Sequence, residues 1–174
     1  LVNNTMTSQS YESLGGATST GEFGSLLREL FAKSSQARFR WERWATLRGR
    51  RTHVFVYRVA QPNSQWRIDY ERRMQIIAGY HGLLYVDKDT NTVVRVTLIA
   101  EDIPPSFPIT EASTVLDYDF TKISDREYLL PLRAVVRMRS GKLLTRNAVE
   151  FRMYRKFAAE ATITFDTPEP LPED

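Results

Sequence analysis

The residues of this chain whose types could support acid–base or metal chemistry are two histidines and one pair of aspartates. His53 lies in THVFVYRV and His81 in GYHGLL. Each belongs to a separate strand-like segment, so joint ligation would require the fold to bring them together, and no Cys stands by to complete a ligand set. Asp117 and Asp119 in LDYDF share one face of an alternating segment, the spacing of an acid–base pair or part of a calcium site. Arg133, Arg137 and Arg139 occupy a neighbouring alternating segment, and cross-strand salt bridges to those arginines are the simpler account of the acids. Gly15, Gly16, Gly21 and Gly24 precede a helix signal but lack the strand entry and Lys-Ser/Thr ending of a phosphate loop, so they read as turn and helix start. The expectation is a non-enzymatic chain without cofactor or metal.

Composition bounds the rest. At 174 residues, with 42% apolar and 26% charged side chains, the chain suits one globular domain and is too apolar for a largely disordered one. The absence of Cys excludes disulfides, thiolate metal sites and cysteine nucleophiles together. No apolar run approaches the roughly 20 residues that a spanning helix needs, so a transmembrane helix is not expected. The net charge of +3 is unevenly spread. Residues 38 to 58 hold seven Arg against Glu42, or +6, whereas residues 160 to 174 hold Glu160, Asp166, Glu169, Glu173 and Asp174, or −5. That asymmetry invites electrostatic partners.

These residues must be positioned by elements with two different periods. Ser19-Thr20-Gly21-Glu22 matches a capping box, and Phe23, Leu26, Leu27, Leu30 and Phe31 follow at helical spacing, predicting one amphipathic helix over residues 21 to about 32 that ends at Ser34-Ser35. From Ala37 onward the period is two. RFRWERW sets Phe39 and Trp41 against Arg38, Arg40 and Glu42, and Phe55, Tyr57 and Val59 oppose Val54, Val56 and Arg58. Alternation recurs through Trp66 to Tyr70, Met74 to Ala78, Val94 to Leu98, Leu116 to Phe120, Ala134 to Met138, Val149 to Met153 and Ala161 to Phe165, with LRGRR, QPNS, residues 87 to 91 and SGK as turns. GLLYVDKDTNTVVRVTL reads as a hairpin on a polar loop, and IPPSFP as a loop or edge crossing.

One helix followed by about eight or nine alternating strands predicts an α+β chain that is mainly antiparallel β. The expected architecture is a curved, half-open barrel-like sheet carrying the amphipathic helix on its concave face. Residues 1–166 form that single domain and residues 167–174 an acidic Pro-rich tail. The opening Leu1-Val2-Asn3-Asn4 has no initiator Met and no signal-like run, and it reads as a strand end entering a turn, so a processed chain or a fragment lacking upstream strands is expected. The concave face is assigned to side chains of one phase: Phe23, Leu27, Phe55, Tyr57, Val96, Leu98, Tyr118, Val136, Met138, Phe151 and Met153. Whether the helix packs that face or a ligand cavity remains there is open at this level.

The hairpin LLYVDKDTNTVVRV, residues 83 to 96, resembles the strand, Asp-x-x-Thr, strand-with-Arg hairpin of the bacterial outer-membrane lipoprotein carrier and sigma-regulator group, the LolA/RseB-like fold. Over nearly its whole length, from GGATSTGEFGSLLRELF through WATLRGRR, LDYDF, LLPLRAVVR and VEFRMYRKF to EATITFDTPEPLPE, the chain is also similar to a set of bacterial proteins predicted to be exported. The resemblance implies an unclosed antiparallel barrel whose helix-lidded apolar face accepts acyl chains, and a location in the periplasm or cell envelope. This chain has one helix pattern where the carriers have several.

The functional expectation is a cell-envelope domain that binds an apolar ligand, lipid or lipoprotein acyl chain, or another envelope protein. The alternative is a structural or assembly module that pairs through sheet edges with itself or a partner chain. A weaker third reading is nucleic-acid binding by the Arg-rich segment; there, aromatics such as Phe39, Trp41, Trp44 and Tyr57 alternate with arginines, so stacking and phosphate-binding groups would point to opposite faces.

Overall fold

The computed structural model of the protein describes residues 17–20, 25–71, 73–152 and 154. Phe23 and Met153, the glycines at 15, 16, 21 and 24, the expected strand at 161 to 165 and the acidic tail lie outside the described residues. Among the described residues, the chain is mostly antiparallel β-sheet with one short helix. No helix among the described residues is long and apolar enough to cross a membrane.

In chain order the elements are β1 (Ala17–Thr20), α1 (Leu26–Phe31), β2 (Arg38–Leu47), β3 (Arg50–Val59), β4 (Arg67–Tyr70), β5 (Met74–Ile77), β6 (Gly79–Asp87), β7 (Val93–Glu101), β8 (Ile109–Ile123), β9 (Arg126–Ser140) and β10 (Leu143–Glu150). Seven strands form one sheet in the order β10-β9-β8-β7-β6-β3-β2, and β1-β4-β5 form a second, small sheet. The larger sheet is a meander interrupted once, where β4 and β5 leave it between β3 and β6. Among the described residues it is open, with β2 and β10 as its edges.

Turn chemistry sets the register. Between β2 and β3, Arg48 and Gly49 both take positive φ (48° and 77°), the pair of left-handed residues that a two-residue hairpin needs to match strand twist. Between β6 and β7 the work is done by a side chain: Asp87 accepts the backbone N–H groups of Asp89 and Thr90 through Oδ1, both at 2.9 Å. Those bonds, Thr90's first, hold the Asp87 carboxyl below its usual pKa range. The Asp-x-x-Thr motif is thus a carboxylate-capped turn.

Cross-strand partners share a face, so the register assigns every side chain to one side of the sheet. Val59 lies opposite Tyr80, Tyr80 opposite Ala100, Leu84 opposite Val96, Val96 opposite Leu116, and Leu116 opposite Ala134. These residues, with Tyr57, Leu98, Tyr118 and Met138, form the apolar face. Leu30 of α1, Ile68 of β4, Trp66 and Ala78 belong to the same buried cluster, and Leu26, Leu27 and Ile76 pack against it. Burying Leu30 and Ile68 completely is worth about 2 kcal/mol each.

The helix is shorter than its stripe predicts. Ser19 and Thr20, expected in a capping box, lie in β1 paired with Ile68 and Arg67. Ser25 instead precedes the first turn, its hydroxyl donating to Glu29 Oε1 at 2.6 Å and its carbonyl accepting Glu29 N–H at 2.9 Å. Ser35 then closes the far end by donating to the carbonyls of Leu30 and Ala32.

Candidate functional site

Nine of the eleven residues assigned to the apolar face are described, and the fold gathers all nine. Tyr57, Val96, Leu98, Tyr118 and Met138 are buried members of one cluster, while Leu27, Phe55, Val136 and Phe151 are partly buried against it. Leu30, Ile68, Val96, Leu116 and Ala134 have no exposure at all, so the chain's own side chains fill the middle of this face. Burial also pushes the phenols of Tyr57 and Tyr118 upward and that of Tyr80 up to about 12. Tyr57 compensates by donating its hydroxyl to the Thr97 carbonyl at 2.8 Å. An open cleft does exist, bordered by Pro62, Ile77, Asp102 and Pro104, but none of the assigned face residues lines it.

The apolar face surfaces at β2. Its first seven residues are all exposed, and among the described residues it pairs with β3 alone. Between Trp41 and Arg43 the register shifts by one residue, so Glu42 is bulged out. Strict alternation would turn Trp44 toward the arginine side; the bulge returns it to the aromatic side, opposite His53, just as Phe39 opposes Tyr57 and Trp41 opposes Phe55. The result is an aromatic row. Phe31 of α1 stacks on Phe39 at 5.4 Å between centroids, Phe39 reaches Tyr57 at 5.9 Å, and Trp44 lies 4.0 Å from the His53 ring. The Arg51 guanidinium caps Trp44 at 4.5 Å, a cation–π contact. Phe31, Phe39, Trp41 and Trp44 keep 38–54% of their surface exposed, unlike the rest of the face. On the other side of the same strand stand the exposed Arg38 and Arg40.

The expected carboxylate pair is engaged by arginines, though not by those anticipated. Asp117 lies opposite Arg133 in register, yet it accepts two bonds from Arg95, at 2.6 Å and 3.0 Å, and lies 3.3 Å from Arg48. Arg50 sits 3.5 Å from Asp119 and 3.9 Å from Asp87. Arg48 also donates to the Tyr118 carbonyl at 2.7 Å, which ties the β2–β3 turn to β8, three strands away in the sheet order. Arg139 pairs with Glu111 instead, at 3.0 Å. Sequence spacing could not reveal Arg48 and Arg50 as partners because Arg48 acts from the turn and Arg50 from the first position of β3, three strands from β8 in the sheet order.

The two histidines stay apart. His53 belongs to the aromatic row, whereas His81 faces the opposite side, beside Arg58 and with Nδ1 2.8 Å from Glu101. Among the described residues no group of three His, Asp or Glu side chains is placed to hold a metal ion. Compared with protein-family models, curated proteins and solved structures, the chain matches none.

Proposed function

We propose that the chain is a non-enzymatic protein-binding module that takes an extended, acidic segment of a partner protein onto the open edge of β2. One observation carries this reading: β2 is a ten-residue edge strand with seven successive exposed residues, aromatic on one face and arginine-bearing on the other. An edge strand presents unpaired N–H and C=O groups that can template strand addition, and the Glu42 bulge and exposed arginines of β2 restrict which strand can add. The backbone of an added strand would complete the hydrogen-bond ladder. Its alternate side chains would rest on the row from Phe39 to Trp44, and its acids would meet Arg38, Arg40 and Arg43.

Charge selects the partner. Self-pairing of β2 would bring two strands together that each carry three Arg against Glu42, and like charges across a ladder destabilise it. An apolar ligand would have to displace Leu30, Ile68 and Val96 from a fully buried cluster. In this proposal the seven-stranded sheet is the curved, half-open sheet of the carriers, with α1 filling its concave face where they hold acyl chains. A place in the cell envelope belongs to the same proposal and rests on the hairpin resemblance.

Two of the chain's three tryptophans, Trp41 and Trp44, lie on the proposed surface and report its occupancy. Titration with a peptide alternating Asp or Glu with Val and Phe is expected to shift their emission to the blue, and a peptide with Lys at the acidic positions is expected to leave it unchanged. Arg38→Glu with Arg40→Glu should reverse that preference. Equal responses to both peptides, or none, would overturn the proposal.

A further inference from the structure

The opposite edge of the large sheet carries a different surface. β9 and β10 are joined by the two-residue turn Gly141-Lys142, with Gly141 at φ 56° and Ser140 opposite Leu143. At this apex Leu143, at 64%, is the most exposed of the large apolar side chains described, and Leu144, at 54%, equals Phe31. Three residue pairs behind it Arg137 stands directly opposite Arg146. Both are exposed, and among the described residues neither has a carboxylate partner, although Arg139, Arg152 and Arg58 all do. Two like charges facing each other across a ladder disfavour the pairing unless an anion lies between them.

From these observations we infer that the β9–β10 hairpin docks the protein on an anionic lipid surface. Residues in a strand advance about 3.4 Å each, so the arginine pair sits roughly 10 Å behind Leu143 and roughly 7 Å behind Leu144. Apolar groups of peripheral proteins bury about 5–10 Å into the headgroup and acyl boundary. Leu143 and Leu144 inserted to that depth leave Arg137 and Arg146 level with the lipid phosphates. Lys142, at the apex, has a stem long enough to return its ammonium to the headgroups. An acidic protein would satisfy the arginines alone, but it would give no reason for two bare leucines at a protruding turn. The surface lies across the sheet from β2, and the inference stands independently of the strand-addition reading.

The test is co-sedimentation of the full chain with vesicles of phosphatidylcholine, alone or mixed with phosphatidylglycerol. Sedimentation is expected with the mixed vesicles only, and it should weaken as salt is added. Arg137→Gln with Arg146→Gln should lower partitioning about 30-fold, the effect of two basic residues at a charged surface. Leu143→Ser with Leu144→Ser should lower it as well, while neither variant should melt below the parent chain, because all four side chains are exposed and the Gln pair removes a like-charge opposition. Since the chain has no Cys, Leu143→Cys provides a unique attachment point for a polarity-sensitive dye. The dye should report an apolar environment on mixed vesicles and none with soluble polyglutamate. Failure to sediment, equal sedimentation with both vesicle types, or a dye that responds to polyglutamate and not to vesicles would overturn the inference.

Discussion

Arg95 and Asp117 meet across β7 and β8 as a two-point pair, Nε to Oδ1 at 2.6 Å and the second guanidinium nitrogen to Oδ2 at 3.0 Å. The Asp117 side chain is only 9% exposed, and Arg48 approaches the same carboxylate from the β2–β3 turn. Removing the acid would leave two partly buried cations without their counter-charge. Asp117→Ala is therefore expected to cost about 2–3 kcal/mol, somewhat below the range for a fully buried pair, and denaturant unfolding measures it.

Gly82 of β6 faces the backbone of Thr97 in β7. A Cβ there would fall 1.7 Å from the Thr97 carbonyl oxygen, which also accepts the Tyr57 hydroxyl. The nearest atoms it would meet are Thr97 backbone, so a side-chain rotation cannot relieve the clash. Gly82→Ala should destabilise by about 3 kcal/mol or more, seen as a marked fall in melting temperature.

Leu30 tests whether α1 belongs to the core. It has no exposed surface and joins Tyr57, Leu116 and Met138 in one cluster. Leu30→Ala should cost about 2–5 kcal/mol, whereas Phe31→Ala, at a side chain 54% exposed, should cost far less. Equal losses measured by chemical unfolding would show that the helix does not present the face described.

Alkaline titration probes the same core. Burial raises the pKa of Tyr57, Tyr80 and Tyr118, so the folded state favours their neutral phenols. Their contribution to stability is full below the ordinary tyrosine pKa of about 10 and is lost as pH rises through the folded values. Phenolate absorbance should show these three ionising above the ordinary tyrosine pKa of about 10 and, for the most part, together with unfolding.

Much of this arrangement was legible in the residues themselves. Period-two alternation assigned Tyr57, Val96, Leu98, Tyr118 and Met138 to one face because burial on one side of a pleated strand leaves that trace. The edge site was less visible. Its decisive feature is the Glu42 bulge, which moves Trp44 across the sheet and has no signature in a hydrophobicity pattern. Ser19 and Thr20 carried two compatible messages, a helix cap and a strand of β-branched character, and pairing with β4 decided for the strand. The partners of Asp117 were hidden for a further reason: Arg48 reaches it through tertiary proximity of a turn.

The central claim is that β2 is an acceptor edge, and amide hydrogen exchange across Arg38–Leu47 tests it most directly. In the free chain, amides paired with β3 should be protected and those on the outer side should exchange freely. Addition of the acidic alternating peptide should protect the outer set and leave β10 unchanged. Outer amides that are already protected in the free monomer, or that stay unprotected while the peptide is bound, would contradict the account.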